Sequence, residues 1–106
     1  MRRSEIRWYR FAKPDKKRPV LILTRDSAID FLGEVMVAPV TSTVRGIPTE
    51  VSLSRDGGLQ RDCAVNLDHI QTVSKGRLGT VITRLNEHQM ERVQGALLFA
   101  LGFAPS

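Results

Sequence analysis

The chain has 106 residues, 42% of them hydrophobic and 25% charged, which is the balance of an ordinary globular protein and argues against disorder. This length predicts a single domain over 1–106 with a core of modest size. Sixteen Lys and Arg residues against eleven Asp and Glu give a net charge of +5, which favours an anionic partner such as nucleic acid, an acidic protein or a membrane surface.

The cysteine count and the hydropathy pattern narrow the class further. Cys63 is the single cysteine, so no intramolecular disulfide can form, as is typical of the reducing cytoplasm. One Cys and two His make a structural zinc site unlikely, and we expect neither metal nor cofactor. No apolar run approaches the roughly 20 residues of a membrane span, and no signal peptide follows Arg2 and Arg3. We expect a cytoplasmic protein without a membrane partner.

The first half of the chain reads as four short strands. Four segments combine strand length with β-branched or aromatic residues: Glu5–Phe11, Val20–Thr24, Glu34–Val40 and Thr49–Leu53. Between the first two, Ala12–Arg18 is predicted as a basic loop with a Pro14-Asp15 turn. Residues 25–33 read as irregular, with a short helical turn near Ser27. These patterns indicate antiparallel strands joined by short connections.

The second half adds strands and ends in a helix. Asp56-Gly57-Gly58 is a turn signal, Cys63–Leu67 and Gly79–Arg84 read as strands, and Ile70–Val73 as a short extended piece. About six strands and one C-terminal helix predict a small antiparallel barrel with appended helices.

The predicted helix has clear end signals. Asn86 suits the N-cap and Gln89 completes a capping box, while Gly102 suits the position after the last turn. One apolar stripe is predicted at helical spacing: Met90, Val93, Leu97, Leu98 and Leu101. Gly95 inside the helix predicts a close approach to the sheet or to a partner helix.

A basic triplet stands before the second strand. Lys16, Lys17 and Arg18 precede Pro19, which suits the first position of a strand because its missing N–H costs little there. A cation at the mouth of a rigid strand is well placed for phosphate, since packing fixes its position. Taken alone, such a basic triplet is more often a solvated loop edge than a phosphate-binding group.

Six blocks in order carry a family resemblance. They are SEIRWYRF (4–11), KRPVLILTRD (17–26), VMVAPVTS (35–42), IPTEVSL (47–53), GLQRDCAVNLDHIQTVSKGRLG (58–79) and LNEHQMERVQGALLFALG (85–102). Together they resemble the MazF/PemK (Kid) toxin endoribonucleases of type II toxin–antitoxin systems over nearly the whole chain.

The resemblance implies a fold and an activity. The fold is mainly β, an SH3-like small antiparallel barrel of the CcdB/Kid/MazF type plus a C-terminal helix. The implied protein is a homodimer that binds single-stranded RNA, with mRNA as the expected substrate, in a groove across the interface. The implied cleavage is sequence-specific and metal-independent, by attack of the ribose 2′-OH, and leaves 2′,3′-cyclic phosphate and 5′-OH ends. An acidic antitoxin is expected to occupy the same groove.

Catalytic roles carry over by position. Arg18 matches the family's catalytic arginine, whose guanidinium fork suits phosphate oxygens and stays charged at any working pH. Thr41 matches the catalytic threonine, with Ser42 beside it, and a hydroxyl there can donate to the phosphate oxygen that gains charge. Asp68 falls at an acidic position and is predicted either to accept the 2′-OH proton or to form a structural ion pair or turn cap.

RNA contacts are predicted around these residues. The set is Lys13, Lys16, Lys17, Arg45, Thr49, Asn66 and His69. The basic residues would contact phosphates, while Thr49 and Asn66 lie where the family lines its groove. Trp8 is predicted as core or dimer interface rather than as a stacking platform, and Cys63 as a buried small residue rather than a nucleophile.

Departures from the family keep rival functions open. Asn66 stands where one branch has a second catalytic Arg, His69 replaces a common Gln, and Gln71 a common Arg. These changes leave room for a non-catalytic RNA-binding regulator. The gyrase-targeting CcdB toxins share the barrel, but the end of this chain, GFAPS (102–106), lacks their Trp-Gly-Ile tail.

Overall fold

The computed structural model describes residues 1–13, 16–55 and 58–103, within which the chain forms seven strands and two α-helices. The strands are β1 Glu5–Arg10, β2 Lys17–Ile22, β3 Glu34–Thr41, β4 Glu50–Leu53, β5 Cys63–Asn66, β6 Gln71–Ser74 and β7 Leu78–Arg84. The helices are α1 Asp26–Ile29 and α2 Glu87–Ala100, and 3-10 turns at Leu67–His69 and Lys75–Arg77 flank β6. The turn predicted at Pro14-Asp15 lies outside the described residues, as do the first two residues of the turn predicted at Asp56-Gly57-Gly58.

All strand pairs are antiparallel, and the sheet runs in the order β4-β5-β3-β2-β1-β7, with β6 also paired to β3. The two ends of this order approach each other, because a Cβ built on Gly58, in the β4–β5 loop, would lie 2.4 Å from the Ile82 carbonyl oxygen of β7. The predicted fold class, a small antiparallel barrel with a C-terminal helix, is confirmed. No helix among the described residues is long and apolar enough to cross a membrane.

Strand β3 changes partners along one of its edges. Val37 is aligned with Gln71 of β6, whereas Thr41 is aligned with Ala64 of β5. The 3-10 turn at Leu67–His69 joins β5 to β6 and takes up the residues between these two ladders. Pro39 lies at the change of partner, where the absence of an N–H interrupts no ladder.

Strand β2 is buried on both faces, which explains its continuous apolar run. Successive side chains point to opposite faces of a strand. Leu21 faces the larger core cluster under α2, and its neighbours Val20 and Ile22 face a second cluster that includes Ile29 of α1. The chain between β2 and β3 therefore returns across the face of the sheet that α2 leaves uncovered.

Three features of the strands differ from the sequence prediction. Strand β2 begins at Lys17 rather than Val20, so Arg18 belongs to the strand, opposite Tyr9, and the predicted loop is shorter. Strand β2 ends at Ile22, because the Thr24 hydroxyl accepts the Met36 N–H at 2.7 Å. The short extended piece predicted at 70–73 is a full strand, β6, which brings the number of described strands to seven.

Helix α2 has the predicted caps. The Asn86 side chain accepts from the Gln89 N–H at 2.8 Å, and the Gln89 side chain accepts from the Asn86 N–H at 2.9 Å. At the other end Gly102 has φ +78°, and the Phe103 N–H donates to the Leu98 carbonyl, as in a Schellman motif.

The buried face of α2 is narrower than the predicted stripe. Val93 and Ala96 are buried, whereas Leu98 and Leu101 are exposed. Gly95 is exposed and has open space at its Cβ position, so within the described residues no close approach to the sheet accounts for it. The helix contacts mainly β4 and the 3-10 turn at Leu67–His69. Because this contact area is small, only a narrow face of α2 is buried.

Gly58 and Gly46 offer a matched test of the closure between the β4–β5 loop and β7. Both have positive φ, but only Gly58 faces a nearby carbonyl, whereas Gly46 faces open space. We expect Gly46→Ala to lower the free energy of unfolding by about 1 kcal/mol through backbone strain alone. Gly58→Ala should lower it by about 2–3 kcal/mol, because the Ile82 carbonyl must also move. Urea titrations that give equal losses for the two variants would contradict this closure.

Candidate active site

Arg18 and Thr41 line one cleft of about 220 Å³. The β2–β3 register aligns Val20 with Pro39, and its continuation by two residues sets Arg18 opposite Thr41. Opposite residues of an antiparallel pair point to the same face. The two predicted catalytic side chains are therefore brought together by strand register, with Ser42 in the same lining.

The cleft opens where the β2–β3 ladder stops. The Leu23 N–H donates to Met36 of β3, so by the two-residue repeat the nitrogens of Leu21 and Pro19 also face β3. Pro19 has no N–H and cannot bond to β3 there. The recorded pairing ends at Val20–Pro39, and Pro19 and Val40 beyond it line the cleft.

The hydroxyl of Thr41 has a free proton to offer. Thr41 is half-buried, and its Oγ1 accepts the Thr43 N–H at 3.1 Å. This bond fixes the oxygen but uses only one of its lone pairs, so the hydroxyl hydrogen is available to an acceptor in the cleft. Thr41 can therefore accept a backbone N–H in the turn after β3 and still serve in the predicted catalytic role.

Arg18 also lines a second, smaller cleft of about 60 Å³ on its other side. Tyr9 and Phe11 contribute aromatic surface to it, with ring centroids 5.0 Å apart in an edge-to-face arrangement. The exposed side chains of His69 and Gln71 supply polar groups. Arg18 is thus flanked by two concave surfaces, so an extended ligand could pass over it and contact both.

Trp8 lies at the rim of the first cleft rather than in the core. It is half-buried and lines the cleft, and the Lys17 ammonium stands 4.7 Å from its ring centroid. Trp8 pairs with Pro19, at the end of β1 where the β2–β3 ladder has already stopped. Ile6, two residues earlier on the same strand, is fully buried, so the core ends before Trp8.

Thr49, Asn66 and Asp68 form a separate polar cluster at the Leu67–His69 turn. The Thr49 hydroxyl donates to Asp68 Oδ2 at 2.6 Å, and Thr49 is only 7% exposed. The Asn66 side-chain oxygen accepts the Asp68 N–H at 2.9 Å and caps the turn. Among the described residues that line the two clefts, Asp68 and Thr49 do not occur. The cluster has a structural function whatever else it does.

The other predicted basic residues lie on exposed loops. The Lys16 N–H donates to the Lys13 carbonyl beside the β1–β2 connection, and both side chains are exposed. Arg45 is exposed in the β3–β4 loop, where its N–H and that of Gly46 donate to Glu50 Oε1. These positions leave the three cationic side chains accessible to an anionic partner.

Arg61 is a cleft residue that sequence reasoning missed. It lines the first cleft together with Arg18, and the described part of that lining contains no carboxylate. Arg61 lies in an irregular loop two residues before β5, so no periodicity indicated where its side chain would lie. Its only sequence signal was its place within the fifth of the six matching blocks.

Cys63 lines the same cleft but is not suited to nucleophilic attack. Burial, with a smaller contribution from the charge of Asp62, raises the pKa of the Cys63 thiol. A raised pKa keeps the thiol protonated, and the thiol is a poor nucleophile in that form. No group of three metal-ligating side chains occurs within 1–13, 16–55 and 58–103.

The Thr49–Asp68 hydrogen bond predicts a measurable coupling. Thr49→Val removes the donor with little change in shape, and Asp68→Ala removes the acceptor. Because Asp68 is exposed and screened, we expect a coupling free energy of only about 1 kcal/mol in a double-mutant cycle followed by urea unfolding. Additive losses in the double variant would show that the bond contributes no stability.

Comparison with known proteins gives the chain its family. The family model described as PemK-like, MazF-like toxin of type II toxin-antitoxin systems matches residues 2–101. Endoribonuclease MazF3 of Mycobacterium tuberculosis is 43% identical over 93 residues, which are 88% of this chain and 86% of the relative. The Mycobacterium tuberculosis toxin MazF-mt6 superposes with a TM-score of 0.86 at 37% identity, over 95% of this chain and 99% of that one. An endoribonuclease from a mycobacterial species, solved with its cognate antitoxin, superposes with a TM-score of 0.87 at 25% identity, over 100% and 99% of the two chains. The resemblance seen in the sequence is thereby confirmed, and the chain belongs to the PemK-like, MazF-like toxin family of type II toxin–antitoxin systems.

Proposed function

We propose that this chain is a toxin endoribonuclease that cleaves single-stranded RNA, with mRNA as its main substrate, at a specific sequence and without a metal ion. The observation that carries the proposal is the presence of Arg18 and Thr41 in the lining of one small cleft whose described lining bears positive charge and no carboxylate. A phosphodiester is the anion whose cleavage such a pair can assist. The relatives named as endoribonucleases support the same activity.

The chemistry follows from these groups. The ribose 2′-oxygen forms a bond to the adjacent phosphorus, the bond from phosphorus to the 5′-oxygen breaks, and the products are a 2′,3′-cyclic phosphate and a 5′-OH. The proton of the 2′-OH passes to a base, and the 5′-oxygen takes up a proton. Arg18 stabilises the negative charge that develops on the phosphate oxygens, and Thr41, assisted by Ser42, donates a hydrogen bond to one of them.

The two clefts beside Arg18 suggest the path of the RNA. A strand that crosses Arg18 places one flanking nucleotide in the cleft of Trp8 and the other against Tyr9 and Phe11. Aromatic surfaces of this kind stack on bases of single-stranded RNA. His69 and Gln71 would read a base edge in the smaller cleft. The amide nitrogen of Asn66, whose oxygen caps the turn, stays available for the predicted base contact.

The remaining predicted contacts complete the proposal. Lys13, Lys16, Lys17 and Arg45 would contact phosphates and supply affinity without sequence choice. Thr49 would act indirectly, since it is buried and its hydroxyl is bonded to Asp68.

We further infer that the protein is a single toxin domain that acts in the cytoplasm as a homodimer. Exposed apolar side chains such as Phe31 and Phe103 offer surface for self-association. An acidic antitoxin would bind over the cationic cleft and exclude RNA from it. The complex of a mycobacterial endoribonuclease with its antitoxin supports a partner of this kind.

Loss of Arg18 tests the catalytic assignment. We expect Arg18→Ala to lower the single-turnover cleavage rate by at least about 10²-fold in excess EDTA, with the melting temperature unchanged because the side chain is exposed. The cleavage rate of Arg18→Lys should lie between those of the native protein and Arg18→Ala, because Lys keeps the charge and loses the guanidinium fork. Arg92→Ala on the exposed surface of α2 removes the same charge and should cleave normally. A folded, fully active Arg18→Ala protein would overturn the assignment, and RNA binding without cleavage by the native chain would favour the regulator.

Thr41 can be tested with two variants of similar size. Thr41→Val removes the hydroxyl and should lower the rate by about 10²-fold, because a donor to the charged oxygen is lost. Thr41→Ser keeps the hydroxyl and should stay within tenfold of the native rate. Equal rates for the two variants would exclude a role for the hydroxyl. The measurement is single-turnover cleavage with mapped product ends.

The role of Asp68 as the base stays a prediction, and an isosteric variant decides it. Asp68→Asn still accepts from Thr49 and removes the proton acceptor. We expect less than a tenfold loss of rate, since the carboxylate is bonded to Thr49 and is not among the described residues lining either cleft. A loss of 100-fold or more without loss of stability, together with a changed pH–rate profile, would assign the base to Asp68.

A further inference from the structure

Arg61 is the second guanidinium group of the first cleft. It enters from the loop between β4 and β5, whereas Arg18 enters from β2. The one ion pair found among the described residues is Arg7–Glu5, so neither cleft arginine is neutralised by a described carboxylate. Two like charges that share a small cleft repel each other, and an anion between them removes that repulsion.

The loop holds Arg61 in place through contacts on both sides of it. Gly58 approaches the Ile82 carbonyl of β7 so closely that a side chain would not fit. On the other side, Asp62 Oδ1 accepts the Arg55 N–H at 3.0 Å and ties the start of the loop to its end. The carboxylate next to Arg61 in the sequence is therefore engaged with backbone. These contacts fix the loop backbone from which the exposed Arg61 side chain extends, so its charge is localised at the cleft.

The end of β5 carries no charge of its own. Asn66 is neutral there, and its side-chain oxygen is used to cap the following turn. Among the described residues that line the first cleft, Arg61 is the only charged side chain besides Arg18.

We propose that Arg61 binds a backbone phosphate of the RNA next to the one that is cleaved, and so sets the register of the strand in the cleft. The inference rests on the proposed function. Arg18 and Thr41 already supply a fork and a donor for the scissile phosphate, and Arg61 joins the same lining from a separate element, the β4–β5 loop. A guanidinium suits this task because its fork matches two phosphate oxygens.

The test separates binding from chemistry. The probe is an oligonucleotide that contains the cleavage sequence mapped with the native protein, with a 2′-deoxy sugar at the cleaved position for binding measurements. We expect Arg61→Ala to raise the Kd about tenfold, while the single-turnover rate at saturating RNA stays within threefold of native. The slope of log Kd against log salt should fall by about 0.7, the value for one phosphate on a single strand. Arg61→Lys should recover part of the affinity.

Two matched controls remove one positive charge elsewhere. Arg55→Ala changes the same loop, and Arg92→Ala changes α2; both side chains are exposed and are not among the described residues lining the cleft. Neither should change the Kd by more than twofold. An equal loss for Arg55→Ala would show that only the general charge of the loop matters and would overturn the proposal.

A change in the RNA tests the contact without depending on the folding of a variant. A neutral methylphosphonate at the neighbouring phosphate should weaken binding to the native protein about tenfold and should cause no further loss with Arg61→Ala. If the native protein cleaves RNA but Arg61→Ala leaves the Kd and the salt slope unchanged, the inference about Arg61 is overturned and the proposed function stands. Loss of rate at saturation with unchanged Kd would instead assign Arg61 to the scissile phosphate. Failure of the native protein to bind or cleave RNA would overturn both proposals.

Discussion

Two prolines on neighbouring strands, Pro19 and Pro39, mark the places where β-ladders end or change partner. Pro39 lies where β3 passes from β6 to β5, and Pro19 ends the ladder between β2 and β3. Arg18 and Thr41 both line one cleft beside the end of this ladder, while their backbones stay in strands. The cleft thus lies where the hydrogen bonding of the sheet is interrupted, and the β4–β5 loop completes its lining.

The electrostatics of the cleft are suited to its proposed substrate rather than to the stability of the free protein. The cleft cations, which no carboxylate of the described residues neutralises, add repulsion to a chain that already carries a net charge of +5. The hydroxyls of Thr41 and Ser42 add donors without adding charge. Thr41 is oriented by a backbone N–H, so little rearrangement is needed when a phosphate arrives. This is the kind of preorganised polar site that stabilises developing negative charge.

Much of the fold followed from local rules, and the exceptions have specific causes. The capping box of Asn86 and the C-terminal Gly102 were predictable because a helix end uses its own neighbours. The burial of Thr49 was also open to prediction, since it alternates with Val51 and Leu53, both of which face the core. The exposure of Leu98 and the burial of Ala96 were not, because they depend on the angle at which α2 meets the sheet.

The candidate site divides in the same way. Arg18 and Thr41 were found through family blocks, and the structure supplied the register that sets them opposite each other. Two features of the site could be found only in three dimensions: Arg61 lines the first cleft, and Arg18 lies between two clefts. The segments that line each cleft are far apart in the chain. Those segments also differ between the clefts: the β4–β5 loop serves one, and the residues around β6 serve the other. After duplication, a gene of this architecture can therefore change what its product recognises on one side of the scissile bond. Recognition on the other side and the chemistry are inherited unchanged. Related toxins in one genome can thus acquire separate sets of targets by drift in a few loop residues.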